Sequence, residues 1–308
     1  MELIAMANNL NIRRIIQEAW PEAMLGTNPN YPRIMQALEG EPGTVKFGDY
    51  QVGGIATTIA DNATEDPAAQ PFGSFQASFE SAEKVVTHSF PSHLAQSEVG
   101  LLAELAQFAA KVAANIDLDA FSGLEGQLTA ASPRAGAGVG QNGAGKLVID
   151  TGKKGLQTEG GEFTYANKIA SDLSESALDS AVQLMMKWRD DRGLPMNLGR
   201  NGLILCVNTA DVKLASQLTE SLVTSADQQS NFYKGMFRDI VQWEFTDADA
   251  WFLVDALQRP FGYRISKKPV VEVRESAKGT ITHIVGTYNG CFVYSPYEYG
   301  VVGSVGNG

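Results

Sequence analysis

The chain has 308 residues, 44% of them apolar, which suffices for two domains or one elaborate domain with a substantial core. Its 35 acidic against 24 basic residues give a formal net charge of −11, the wrong sign for a protein that grips a duplex tightly. No uninterrupted apolar run approaches the ~18 residues of a membrane span, and "MELIAMANNLNIRRIIQEAW" lacks the basic start and apolar stretch of a secretory signal.

The first 45 residues begin with a weakly amphipathic helix whose apolar positions are Leu10, Ile12, Ile15, Ile16, Trp20 and Met24. Pro21 is expected to break or bend it. "GTNPNYPRIMQALEGEPGT" follows with three prolines and several turn signals, so this region is expected to be an arm rather than a core unit. Residues 46–90 carry two strand-like flanks around a small-residue polar tip. Phe72, Phe75 and Phe79 are apolar positions on the returning limb. From Gln51 to Glu83 there is no Lys or Arg, while Asp61, Glu65, Asp66, Glu80 and Glu83 all lie in that interval. Such an excursion has few residues with which to bury its own core, and is expected to finish its packing on another subunit.

The clearest helix spans 92–121, with Ser92 as candidate cap and Gly123 as stop. Leu94, Leu101, Leu102, Leu105, Phe108, Ala109, Val112 and Ile116 step along it mostly at three or four, which predicts one buried stripe. At 1.5 Å per residue such a helix reaches roughly 38 Å and suits a structural spine. The Gly-rich stretch 123–161 reads as hairpins and loops. Within it Gly140, Gly145 and Lys146 match the spacing of a phosphate-binding loop. The Mg²⁺-holding position is however Leu147, "SPRAGAG" is no strand, and "LVIDTGKKG" reads as strand where a helix is needed. A nucleotide hydrolase at 140–147 is therefore a remote alternative.

A second helix over 172–192 carries Leu173, Ala177, Leu178, Ala181, Leu184, Met185 and Trp188 on its apolar stripe, with Gly193 and Pro195 as stops. "GLILCV" reads as a buried strand, and Asn208 or Thr209 caps a third helix running to about Leu222. "IVQWEF" and "DADAWFLVDA" come next. "RISKKPVVEVRE" and "TITHIVGTYNGCFVYSP" then alternate as strands joined at "SAKG". Cys206 and Cys291 sit in apolar strand-like runs, expected to be buried and reduced. His88 and His93 have no acidic or thiol partner at ligand spacing, and His283 falls on a strand pattern that can place it on a solvated face. Glu65–Asp66 and Asp190–Asp191 are adjacent residues that diverge on any element. No catalytic residue, cofactor site or metal site is expected.

The order "ALDSAVQLMMKWRDDRGLPMNLGRNGLILCV", "TADVKLASQL", "SNFYKGMF" and "DADAWFLVD" resembles the major capsid (major head) proteins of tailed bacteriophages, especially the Mu-like head subunits. The resemblance covers about 165–295, and the long helix preceded by an acidic extended segment adds to it. It implies an α+β fold with an N-terminal arm (1–45), an extended E-loop (46–90) and a peripheral-domain spine helix (91–122). An axial domain (123–262) follows, and then peripheral-domain strands with a C-terminal return segment (263–308). It further implies self-assembly into the hexamers and pentamers of an icosahedral head enclosing double-stranded DNA, made in the host cytoplasm. The acidic balance suits an inner wall with only weak, non-specific DNA contact. Separate scaffolding, portal and decoration proteins are partners that the resemblance allows, the scaffold being either a separate protein or none; no membrane is expected. An encapsulin-like cellular nanocompartment shell is the alternative. The acidic segment, with Glu65 and Asp66, is expected to dock on cations of another subunit, either Lys187, Arg189 and Arg192 at the end of the second helix or Arg264, Lys267 and Lys268 before the final strands; the resemblance favours Lys267 and Lys268, since E-loops of that family lie on peripheral-domain strands. Apolar docking by Phe72, Phe75 and Phe79 is the competing account and by area can supply more energy. Covalent cross-linking through an E-loop lysine has no counterpart here unless Lys46 or Lys84 serves.

Overall fold

Alternating apolar and polar residues near the C-terminus build the longest strands among the described residues. The computed structural model describes residues 2–39, 43–48, 74–79, 81–94, 97–128, 149, 153–154, 164–188, 195–220, 233–275, 280–294 and 300–304. The elements in order are α1 (Glu2–Leu25), α2 (Tyr31–Ile34), β1 (Gln36–Glu39), β2 (Gly43–Gly48), β3 (Ser74–Phe79), β4 (Ala82–Pro91) and α3 (Glu98–Leu128). There follow β5 (Lys153–Lys154), β6 (Thr164–Tyr165), α4 (Glu175–Met186), β7 (Leu203–Val207), α5 (Val212–Glu220), β8 (Phe237–Gln242), β9 (Trp251–Asp255), β10 (Phe261–Glu275), β11 (Ile281–Tyr294) and β12 (Val301–Ser304). The loop at 140–147 lies outside the described residues.

Two four-stranded sheets carry the fold. The first has the order β1-β10-β11-β4, with β1 parallel to β10 and the other pairs antiparallel. Its inner face, including Val86, Phe90, Tyr263, Val271, Val273, Ile284 and Tyr288, is buried beneath α3 and α1. The second has the order β12-β9-β7-β8, so the last strand returns across the molecule to pair with β9. Its central strands "LILCV" and "WFLVD" are buried at every position. Period two sends Ile204, Cys206, Phe252 and Val254 into one core, and Leu203, Leu205, Val207, Trp251 and Leu253 into another beneath α4. Both cysteines are buried free thiols, and burial pushes both thiol pKa values up.

Several expectations need correction. α1 runs through Pro21 to Leu25. A proline inside a helix costs about 3 kcal/mol, but Ile16 and Trp20 are buried in the first core, each stabilising by roughly 1.5–3 kcal/mol. Tyr31, Ile34 and Met35 are buried in that same core, so residues 16–35 are part of it and not only an arm. α3 begins at Glu98, where the Ser97 hydroxyl accepts from the Gly100 N–H. Ser92 instead ties the preceding turn to the first sheet, its N–H donating to the Thr280 carbonyl and its hydroxyl meeting that of Thr282. α4 starts after the Ser174 cap and ends at Met186, because Trp188 turns inward to bury itself before the stop signals are reached. Asn208 caps the next turn, its side chain accepting from the Thr209 N–H.

α3 also passes through Gly123, which does not stop it. The glycine is there because β11 comes close: a Cβ at 123 would lie 2.5 Å from the Phe292 Cβ. Gly126, one turn on, faces open space. Gly123→Ala is expected to destabilise the fold by about 1–3 kcal/mol through overpacking, and Gly126→Ala to stabilise it by up to about 1 kcal/mol through helix propensity. Thermal melts of the two variants give opposite shifts on this account; equal shifts would contradict it.

Candidate interaction surface

The segments "GTVKFG" and "SFQASF" alternate, and β2 and β3 pair them antiparallel as a ribbon. The register sets Gly43 opposite Phe79, Val45 opposite Ala77 and Phe47 opposite Phe75. Directly opposed residues share a face, so Val45, Phe47, Phe75, Ala77 and Phe79 occupy one side of the ribbon. Thr44, Lys46, Ser74, Gln76 and Ser78 occupy the other. A two-stranded ribbon is marginal in water without a surface to cover its apolar side. The ribbon meets the rest of the chain mainly where β3 approaches β11.

Its root is built on an irregular stretch of β10. The β10–β11 register shifts between Ile265 and Lys267 and again between Lys267 and Val270. Proline has no N–H to give a ladder, so Pro269 belongs at such a bulge. Four consecutive residues there hold the start of β4, β1 and α1 together. The Ser266 hydroxyl meets that of Ser81 at 2.6 Å. Lys267 lies 3.8 Å from Glu83, and Lys268 lies 3.1 Å from Glu39. The Pro269 carbonyl accepts from the Trp20 indole N–H at 2.9 Å, which ties α1 to the bulge. Beside them Asp119 of α3 takes the Lys84 ammonium at 2.7 Å and the Tyr263 hydroxyl at 2.5 Å. Burial pushes the Tyr263 hydroxyl far above its usual range, helped by its bond to Asp119. Burial also pushes Tyr288 up to about 12, helped by the charge of Asp119 and offset in part by its hydrogen bond with Tyr263.

The residues expected to make inter-subunit contact are thus distributed in three places. Glu65, Asp66 and Phe72 lie outside the described residues. Phe75 and Phe79 share the apolar side of the ribbon. Lys267 and Lys268 stand at the root, where their partners are Glu83 and Glu39 of the same chain. Both pairs are more than half solvated apart from Lys267, at 49% exposure, so each contributes at most about 1 kcal/mol. Lys84 is tied to Asp119 of its own subunit.

Sequence spacing missed the partner of His88. Its Nε2 lies 2.7 Å from the Glu104 carboxylate, and both side chains are mostly buried between β4 and α3. Only the fold brings them together, since sixteen residues separate them in the chain. His283 meets the Ser89 hydroxyl on the outward side of the first sheet. Among the described residues no group of three or more His, Cys, Asp or Glu is placed to hold a metal ion.

Two more apolar surfaces remain open. The outer side of α3 exposes Val99, Leu102, Ala103, Ala106, Ala110, Ala114 and Leu118, with Lys111 as the one charged residue between them on that side. By length and mean hydropathy Glu98–Gly126 meets the criteria for a membrane-crossing helix, but here its inner stripe forms a wall of the core. The outward face of the first sheet aligns Val85, Thr287 and Val270 across three strands, with Val85 62% exposed.

No protein-family model and no curated protein matches the chain. Solved structures do. The capsid of Ralstonia phage GP4 is similar over 88% of this chain and 85% of that one, at 7% identity and a TM-score of 0.53. The virus-like particle from Pyrococcus furiosus is similar over 96% and 99%, at 8% identity and a TM-score of 0.51. The architecture is the α+β fold of tailed-phage capsid proteins.

The tyrosines at the root give a pH dependence of known sign. Their folded pKa values are raised, so their contribution to stability is present below pH ~10 and is lost as pH rises toward about 12. Melting temperature is expected to fall over that window, and Tyr288→Phe to make the fall shallower. An unchanged slope in the variant would show that Tyr288 titrates as an ordinary surface phenol. Trp20→Phe, which keeps the ring but removes the donor to the Pro269 carbonyl, is expected to cost about 1 kcal/mol or more in chemical denaturation. Lys268→Met is expected to cost less than about half of that.

Proposed function

We propose that the chain is a major capsid subunit, related to the Mu-like head proteins, that self-assembles into hexamers and pentamers of an icosahedral head around double-stranded DNA. The carrying observation is the amphipathic ribbon. Its register puts positions 45, 47, 75, 77 and 79, all apolar in sequence, on one side of a two-stranded ribbon, and among the described elements outside it β11 is the one that β3 approaches. A second copy supplies the cover, and repetition of that contact closes a shell. In this reading the ribbon and residues 46–90 form the E-loop, α3 the spine helix, the first sheet the peripheral domain and the second sheet the axial domain. The N-terminal arm is residues 1–45, with its inner half anchored in the core. The subunit is not an enzyme and acts in the virion, after assembly in the host cytoplasm. Scaffolding, portal and decoration proteins are its expected partners. The net charge of −11 keeps its DNA contact weak and non-specific.

Between the two accounts of docking, the apolar one is favoured. Lys267 and Lys268 already face acids of their own subunit, which leaves less positive charge for Glu65 and Asp66 of another. A nanocompartment shell is the second reading, favoured by the likeness to a virus-like particle as well as to phage capsids; DNA or protein inside purified particles separates the two.

The test is Phe75→Ser with Phe79→Ser. The variant should fold with a melting temperature close to that of the parent and should sediment as monomers or isolated capsomers, with no shells. Shells at parental yield would overturn the reading. Lys267→Glu with Lys268→Glu should lower assembly yield far less, and light scattering should change little between low and high salt. A steep fall in yield with salt would restore the electrostatic account.

A further inference from the structure

The two sheets are joined by a shared apolar core that runs from Tyr31, Ile34 and Met35 into Ile204, Cys206, Val241 and Phe252. Apolar contact holds surfaces together without fixing their direction. Direction must come from oriented bonds, and these converge on residues 30–36. The Asn30 and Tyr31 N–H groups both donate to Asp117 of α3, at 2.8 Å each. The Pro32 carbonyl accepts from Arg259 in the link between β9 and β10. The Gln36 side chain donates to the Arg259 carbonyl nearby, and β1 then joins the first sheet.

Arg33 is the member of this segment that reaches the second sheet. Its Nε donates to one oxygen of Asp239 at 2.8 Å and its Nη2 to the other at 2.5 Å. Nη2 also donates to the Ile240 carbonyl at 2.9 Å. Asp239 and Ile240 lie on β8, an edge strand of that sheet. Past the far end of the same strand, Trp243 stacks on Phe121 at 4.3 Å and the Thr246 N–H donates to Glu125 at 2.7 Å. Two separated attachments define an orientation, whereas one leaves a pivot. A forked guanidinium–carboxylate pair also fixes angle as well as distance. Arg33 and Asp239 are both partly solvated, so the pair adds little to global stability.

We infer that Arg33 and Asp239 are positioning residues that set the angle between the two sheets, and through it the curvature of the shell. The curvature half rests on the capsid reading; the angle half does not. A shell repeats one subunit shape many times, so a small change of angle accumulates into a different closure.

The experiment has two arms. Spin labels at Thr87→Cys on β4 and Gln217→Cys on α5 are both exposed, while the native thiols are buried. Electron–electron distance distributions are measured with labelled subunits diluted into unlabelled ones. Arg33→Ala and Arg33→Lys should each broaden or shift the distribution while moving the melting temperature little. The exchange Arg33→Asp with Asp239→Arg should narrow it again. Particle diameters are then measured by electron microscopy, and the fraction at the parental diameter should fall several-fold in the single variants and recover in the exchange. An unchanged distance distribution in Arg33→Ala overturns the inference. A broadened distribution with unchanged diameters overturns its curvature half. A parent chain that forms no shells at all overturns the capsid reading and the curvature half with it, and leaves the angle result to stand or fall alone.

Discussion

The apolar stripe of α3 has to be covered over a helix about 47 Å long, and neither sheet is large enough to do it alone. The first sheet and α1 cover the stretch from Leu101 to Ile116, where Phe108 meets Trp20. Phe121, Leu124 and Leu128 belong to the same core as Ile204, Val241 and Phe252 of the second sheet. The two sheets are therefore held side by side because they share a helix. Four carboxylates on that helix add direction to the burial. Glu104 takes His88 of β4, and Asp117 takes the backbone of residues 30 and 31. Asp119 takes Lys84 and Tyr263, and Glu125 takes the Thr246 N–H beyond β8. Together they bind β4 at two points, β10, residues 30 and 31, and the segment beyond β8, which fixes the rotation of the helix as well as its contact.

What the chain leaves uncovered follows from the same arrangement. The inner side of α3 and the inner face of the first sheet cover each other, and among the described elements the ribbon approaches β11 through β3. The register places positions 45, 47, 75, 77 and 79 on one side of that ribbon. The outer side of α3 and the Val85–Thr287–Val270 row are open.

Much of this was legible in the sequence. Strands buried on both faces announce themselves as unbroken apolar runs, as in "LILCV" and "WFLVD", and the C-terminal alternation gave β10 and β11. Periodicity of three and four found α3, but could not tell whether Gly123 ended the helix or made room for Phe292, since that depends on a strand some 170 residues away. Prolines hid the core role of residues 16–35: local breakers say where a segment turns, and tertiary burial decides whether it is inside. The root of the ribbon was visible only in part. Lys267 and Lys268 were expected to meet acids of another subunit, and their contacts with Glu83 and Glu39 were not foreseen, because those meet only after β1, β10 and β4 converge in space. His88–Glu104 was invisible for the same reason.

The account turns on the claim that the ribbon completes its packing on another copy of the chain. A cryo-electron reconstruction of particles assembled from the purified protein tests it most directly. Closed icosahedral shells in which the Val45–Phe47–Phe75–Phe79 side of the ribbon rests on an adjacent subunit are the predicted result. Protein that remains in small discrete oligomers, or shells in which the ribbon folds back on its own subunit, would contradict it.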